Sequence, residues 1–546
     1  MSVEPARDDA APPPPSGRRF LGIQPMKLVF ALEYVLQGLA NPFQGITYQP
    51  FFKHLRGDFG LSEAATQSLF ARSYLAWSFK PVLGFFIDAY GRTRTLLIAL
   101  LGAGAVGYAV TPWVDTSAVV FFWFMFALSV LFAATDVAVD RATVIAGDEE
   151  AKATGRSRAS TVGLNQAICW TAIYGTGIVA AVLGGYTADE VRFNVLMVAL
   201  AAVPLLVLGA VLLLPRDRAV PVPITRSMGE FWRGLNSGPL LGVMLFYFVF
   251  HFQPALGALW NNYLIETLNF SQTQIGVSDG ASSAGAFVGV LLFAWKGIAW
   301  QERLGLRRLF RLYIVASILI SLTQYLQVDP WFSIVARGLS AILPFWDEST
   351  VRVVYLCTYS FLLAIPASSI RMSTFSVVGA VIPPSAAGSL FAGFMSVANL
   401  AYSMSYASGA WLYDHGTGLG LLRSVQQAVF GIGSKPGDSL SVNMLILMGS
   451  FAYLTSFVCV HVLPDRRQTL DADAQQGYAG PERWGALEHA KKRRADLAAV
   501  ALGALLLATL LYLELDPVSS ALIAFFVTTG LRKLALDAWL ARTVRA

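Results

Sequence analysis

Apolar runs long enough to cross a bilayer follow one another along nearly the whole chain, separated by short polar turns. A span needs roughly 20 such residues, because the hydrocarbon core is about 30 Å thick and a helix rises about 1.5 Å per residue. The runs fall at about 28–50, 65–88, 95–113, 118–145, 160–184 and 192–214. After a polar stretch they resume at about 239–263, 274–296, 309–327, 351–381, 385–412 and 441–463. Two more follow at about 496–514 and 518–538, joined by "ELDP". The pattern divides the chain. Residues 1–27 read as a disordered leader, 28–214 and 239–463 as two six-helix units, 215–238 as a connector, 464–495 as a charged tether, and 496–546 as an appended hairpin with a basic tail.

Composition agrees. Of 546 residues, 55% are hydrophobic and only 14% charged, with a mean hydropathy of +0.56. This is an all-α membrane protein with about fourteen transmembrane helices. The formal charge of +6 lies in short loops and does not point to nucleic acid. No short apolar segment with a small-residue cleavage site precedes the first span, so no removable signal peptide is expected. Cys169, Cys357 and Cys459 lie in separate apolar runs, so neither a disulfide framework nor a metal site is expected.

Most of the 40 lysines and arginines fall in loops on one side of the predicted topology; Lys53, Arg56, Arg337, Arg423 and Lys435 fall on the other side, and a few more, Lys80 and Arg371 among them, lie in or at the edges of spans. The positive-inside rule then places both termini in the cytoplasm, in a bacterial inner membrane or a plasma membrane. The halves also echo each other. Asp88, Gly91 and Arg94 follow the second run, and Glu302, Gly305 and Arg308 follow the eighth at the same spacing. Parallel repeats of this kind suit a transporter built from two six-helix units.

Polar residues inside the runs carry the candidate chemistry. Lys80 lies eight residues before Asp88, about 12 Å from the membrane rim by helix rise, at a depth where a lysine costs roughly 2.5–3.5 kcal/mol. The fourth run carries Asp136 and Asp140 on one helix face at a similar depth. One acid can neutralise Lys80, and the other takes a proton or faces Arg141; a static ion cluster that only ties helices together is the alternative. Glu33, Gln37, Asn41 and Gln44 make a polar stripe on the first run, facing a water-filled cavity or a polar neighbour. The seventh run offers Tyr247, His251 and Asn262, with His251 more commonly a satisfied buried imidazole. The tenth offers Ser368 and Arg371, the arginine in a cavity or snorkelling to the rim. The eleventh offers Ser396, Asn399 and Tyr402, which suit a cavity wall or helix-packing hydrogen bonds. No P-loop, paired zinc-ligand histidines or nucleophile elbow competes. The chain reads as neither an enzyme nor an ATP-driven pump, and it needs no cofactor.

"GFFIDAYGRTR" resembles the loop motif of the major facilitator superfamily: Gly84, Asp88, Gly91, Arg92 and Arg94 match, and Ala89 departs. "YVLQG" at Tyr34–Gly38, "WSFKPVLGFFID" at Trp77–Asp88, "TDVAVD" at Thr135–Asp140 and "PPSAAGSLFAGFMSVANL" at Pro383–Leu400 resemble the folate–biopterin transporter family over about residues 28–463. "ATDVAVDR" is also similar to muropeptide permeases and acetyl-coenzyme A transporters. The resemblance implies a secondary transporter of a pterin or folate-like solute, with the first, fourth, seventh and tenth helices lining a central cavity and the loop motifs gating it. It leaves the last two runs uncovered. A cavity cation (Arg371, His251 or Lys80) suits an anionic tail, and Trp77, Trp170 or Tyr247 suits a flat ring. A small-molecule substrate, a coupling proton or other ion and the lipid bilayer are the expected partners, and a monomer is the expected state. A transport-dead sensor or scaffold is the rival from another class.

Overall fold

The computed structural model describes residues 24–216, 221–236, 238–253, 257–343, 345–382, 387–463 and 489–512, and at the C-terminal end 520, 524, 527–536 and 539. The leader up to residue 23, Pro254, most of the tether and much of the last apolar run lie outside them. Among the described residues every regular element is helical, and eight helices are long and apolar enough to cross a membrane.

The first span is broken. Its helix, Pro25–Ala40, stops at Asn41, and a tight turn leads to a second helix, Tyr48–Lys53. The Asn41 side chain accepts the Phe43 amide at 3.2 Å, and Thr47 Oγ1 donates to the Asn41 and Gln44 carbonyls. Gly45 has φ +64°, and a Cβ there would lie 2.4 Å from the Gly38 oxygen. The continuous helix expected over 28–50 is thus corrected, and the polar stripe is split by the break.

The second span is also two helices, Glu63–Ser78 and Lys80–Tyr90, hinged at Phe79. Pro81 causes this: it has no N–H to give the Trp77 carbonyl. That carbonyl instead accepts Ser396 Oγ of the eleventh span at 3.2 Å. The hinge places Lys80 at the start of a new helix, turned inward.

The remaining N-terminal spans are Thr93–Val114, Ala118–Thr154, Arg158–Glu190 and the pair Phe193–Leu200 with Ala202–Leu212. The connector contains a helix, Ile224–Asn236, that the sequence pattern did not reveal. The seventh span is Gly238–His251 and Gly257–Asn262. Then come Gln272–Leu292, Leu306–Leu322, Glu348–Val381, Ala387–His415 and Val442–Cys459. Short helices at Trp331–Ile342 and Gly420–Phe430 stand where plain loops were expected.

Two apolar cores organise these helices. One is built from Val29 through Leu214, the other mainly from Leu240 through Leu463. The halves meet where the second span packs along the eleventh and the fifth along the eighth. The latter contact needs small residues: a Cβ on Gly185 would lie 2.4 Å from the Gln272 oxygen, and one on Gly276 2.4 Å from the Ala181 oxygen. Such residues let backbones approach where lipid offers helices no hydrophobic drive.

The last described helix, His489–Tyr512, belongs to a small separate core in which Ala495 and Leu536 pack against Leu241 of the seventh span. Arg532 pairs with Asp496 within this appendage at 2.6 Å. We expect truncation after Arg467 to leave solute flux in reconstituted vesicles within about twofold of the full chain, since one burial site on the outside of the seventh span supplies only a few kcal/mol. Loss of all flux from a folded, membrane-inserted truncation contradicts this.

Candidate functional site

Between the halves lies a cavity of about 500 Å³. Lys80 and Asp136, each 1% exposed, meet on its wall through Lys80 Nζ and Asp136 Oδ2. The ammonium also lies 4.6 Å from the Trp77 ring centre. Of the two acids on the fourth span, Asp136 is therefore the lysine's partner. Gln37 Nε2 donates to Asp136 Oδ1 at 2.5 Å and to Glu33 Oε2 at 2.6 Å, and Thr135 Oγ1 donates to Glu33 Oε1 at 2.8 Å. Asp140 is buried behind this group. It accepts Tyr34 at 2.8 Å and Gln166 at 3.1 Å through Oδ1, and its Oδ2 has no partner among the described residues.

The break in the first span thus divides its stripe. Glu33 and Gln37 join the charge cluster, and Asn41 and Gln44 line the cavity beyond it. Three carboxylates share one ammonium, so the cluster is electrically balanced only when carboxyl groups carry protons. Arg141 does not serve Asp140, as the sequence allowed; it turns to Asp88.

Arg371 lines the cavity rather than reaching for the rim. Its guanidinium lies 4.6 Å from the Trp170 ring centre. It donates to the hydroxyls of Tyr174, Tyr247 (3.2 Å) and Tyr402 (3.4 Å), drawn from the fifth, seventh and eleventh spans. No carboxylate among the described residues pairs with it, which leaves an aromatic-walled cation open to an anion. Asn399 lines the same cavity and donates to the Met395 carbonyl at 3.3 Å.

His251 is not on this wall. Its Nδ1 donates to the Tyr247 carbonyl at 2.8 Å, and it borders a second cavity of about 470 Å³. The candidate stacking rings are partly engaged. Lys80 covers Trp77, Arg371 covers Trp170, and Tyr247 stacks on Phe394 at 4.9 Å. Sequence reasoning missed Tyr174 and Asp279, which also line the cavity; a carboxylate in the small-residue run "GVSDGASSAG" was the available signal for the second.

The first loop motif joins the two halves on the basic side of the cavity. Asp88, 1% exposed, accepts Arg141 Nε at 3.0 Å and Ser227 Oγ of the connector at 2.9 Å. It also accepts the Gly388 and Ser389 amides at 3.3 and 3.1 Å. One carboxylate of the N-terminal half therefore caps the first turn of the eleventh helix, where unpaired N–H groups and the helix dipole favour negative charge. The motif bases Arg92 and Arg94, grouped with Asp88 by the resemblance, lie elsewhere. Arg92 is exposed, and Arg94 reaches the Leu212 carbonyl at 3.4 Å. Gly84 sits against the Gly388–Ser389 backbone, and Gly91 ends the second span at φ +68°.

The second motif builds no such cap. Glu302 and Arg308 are exposed, and Glu302 makes no ion pair among the described residues. Gly305 turns the chain at φ +75°, and Arg307 donates to the Leu463 carbonyl at 2.9 and 2.7 Å. The common element of the repeat is a base at the start of the third or ninth span holding the end of the sixth or twelfth.

At the opposite end the halves are held by Gln49 to Asp279 (3.1 Å), Arg56 to Glu266 (2.7 Å) and Thr273 to Asp189 (2.7 Å). A cavity between two helical halves, with contacts crossing between the halves on either side of it, is the fold of the major facilitator type. Residues 37–480 match the BT1 family, and the chain belongs to that family. A curated relative, the folate-biopterin transporter of Synechocystis sp., is 25% identical over 378 residues, covering 66% of this chain and 69% of its own. Among solved structures, a D-xylose-proton symporter aligns over 82% of this chain and 98% of its own with a TM-score of 0.53 and 16% identity. The human organic anion transporter MFSD10 (TETRAN) aligns over 80% and 98% with a TM-score of 0.50 and 15% identity. The family and these neighbours are transporters, not enzymes.

Two outcomes test this geometry. Lys80→Ala strands Asp136, and breaking a buried pair costs about 3–5 kcal/mol; adding Asp136→Asn should restore most of the thermal stability, while adding Asp140→Asn should not. Equal rescue by both acids, read by thermal unfolding of purified variants, refutes the pairing. Asp88→Asn should weaken the cap and raise labelling of a cysteine introduced at the cavity-lining Ser283 from the basic side several-fold, as loss of a charged hydrogen bond worth about 1.5–3 kcal/mol implies. An unchanged labelling pattern refutes the closure role.

Proposed function

We propose that this chain moves a pterin or folate-like solute by alternating access between the two halves, 28–214 and 239–463. The observation that carries the reading is Arg371, a cation on the cavity wall with aromatic neighbours and no carboxylate partner among the described residues. It suits a solute with an anionic group beside a flat ring, and the name of the Synechocystis relative supports the same class. The basic face is taken as cytoplasmic, with both termini on it, in a bacterial inner membrane or a plasma membrane. Protons are the proposed coupling ions, because the Glu33, Asp136, Asp140 and Lys80 cluster balances its charge by binding them. The hairpin plays no part in transport, and the working unit is a monomer.

Each cycle then breaks one set of crossing contacts. Release at Asp88 opens the basic side, and release at Gln49, Arg56 and Asp189 opens the other. The test is flux of labelled folate and biopterin in vesicles holding the full chain, with and without an inward proton gradient. We expect the gradient to stimulate flux and Arg371→Gln to raise KM about tenfold or more, as loss of a charge-assisted contact implies. Flux of muropeptides or acyl-coenzyme A instead assigns the cargo to the rival carriers. No flux of any solute marks a sensor or scaffold.

A further inference from the structure

Four charged side chains line the central cavity: Lys80, Asp136, Asp279 and Arg371. The first two neutralise each other. Arg371 meets only hydroxyls and an aromatic face. Asp279, on the eighth span, receives one hydrogen bond, from the neutral amide of Gln49 at 3.1 Å. Neither of these two has an ion-pair partner among the described residues. The wall therefore carries one open cation and one open anion.

Asp279 occupies the junction of two spaces. With Tyr48, Tyr402 and Tyr406 it borders both the central cavity and the second cavity beyond, whereas Arg371 borders only the first. Such a wall complements a solute of opposite polarity at its two ends: an anionic group toward Arg371, and N–H donors toward Asp279. An ionised carboxylate has about four lone-pair sites, so the Gln49 bond leaves room for more donors. A planar edge with two parallel N–H groups, as in an aminopyrimidinone or an amidine, fits it best.

We propose that Asp279 is the second polar anchor of the solute site and selects the donor-bearing ring edge of the cargo. The inference rests on the folate-like reading above and adds to it the residue that reads the ring. Gln49 fixes the carboxylate's orientation and Tyr48 and Tyr406 form the surrounding walls, so the anchor forms only while the first and eighth spans are together. Selection by donors is steep, because a carboxylate left facing a group that cannot donate stays desolvated without compensation.

The experiment is titration calorimetry on purified full-length protein with three probes: folate, its 2-desamino analogue, and the p-aminobenzoylglutamate tail alone. The wild type should bind folate about tenfold or more tighter than the desamino analogue, from the loss of a hydrogen bond to a charged group. Asp279→Asn should bring that ratio close to one and leave tail affinity unchanged, and the tail also reports that the variant is folded. Should Asp279→Asn not yield folded protein, the wild-type ratio decides by itself. A wild type that binds folate and its desamino analogue equally, or a variant that still discriminates, overturns the anchor and leaves the folate reading standing. A wild type that binds neither folate nor the tail overturns the folate reading, and the anchor with it. A change in the proton dependence of flux with an unaltered binding ratio shows that Asp279 serves an ion instead, and also overturns the proposal.

Discussion

A charge in the hydrocarbon interior is tolerable only beside its opposite or within a polar pocket, and Lys80 on Asp136 is where this chain meets that constraint. Much of the N-terminal half follows from it. Pro81 breaks the second span and turns Lys80 inward, and the freed Trp77 carbonyl is taken by Ser396 of the other half. Gln37 and Glu33 on the first span satisfy the rest of Asp136. The first, second and fourth spans are thereby fixed around one buried group, which becomes the floor of the cavity. Replacing that group with apolar side chains of similar volume could serve stability as well. Stability alone therefore does not account for its polar makeup.

The same constraint shapes the opposite wall differently. Arg371 is stabilised without a carboxylate, by three tyrosine hydroxyls and an indole face. A guanidinium is more weakly hydrated than an ammonium and stacks on aromatic surfaces, so it can be held this way where a lysine could not. The result is one charge pair that is closed and one cation that is open. The open one has no opposite charge beside it among the described residues.

The sequence placed Lys80 at the depth of both Asp136 and Asp140, by counting helix rise from the same rim, but left open which acid it meets. The two six-helix runs were legible from hydropathy and from the repeated acid–glycine–base spacing. Arg371 was ambiguous: an arginine near a span's end reads the same whether it snorkels or faces inward, and its three tyrosines come from three other spans. Asp88 misled in another way. Its motif grouped it with Arg92 and Arg94 in a gating role, whereas its partners are Arg141, Ser227 and backbone amides 300 and 301 positions away, the last of which no side-chain pattern encodes. The break in the first span depends on a left-handed glycine and an asparagine that caps its own turn, a local signal hidden inside an apolar run.

These contacts also differ in how they can behave when the halves move. Lys80, Asp136, Gln37 and Glu33 all belong to the N-terminal half, so rocking of one half against the other leaves them intact. Asp88 joins the second span to the eleventh, and Gln49, Arg56 and Asp189 join the halves at the far end. Crossing contacts must be strong enough to close an end and weak enough to release it. Hydrogen bonds to helix amides and neutral side chains meet that requirement, since each is worth only about 0.5–3 kcal/mol net, and so does the Arg56–Glu266 ion pair, which is solvent-exposed and therefore weak. A buried ion pair across the same seam would leave two naked charges at every opening, at several kcal/mol each. The buried pair lies within one half, and only weaker bonds cross the seam, so the charged interior does not depend on the seam being closed.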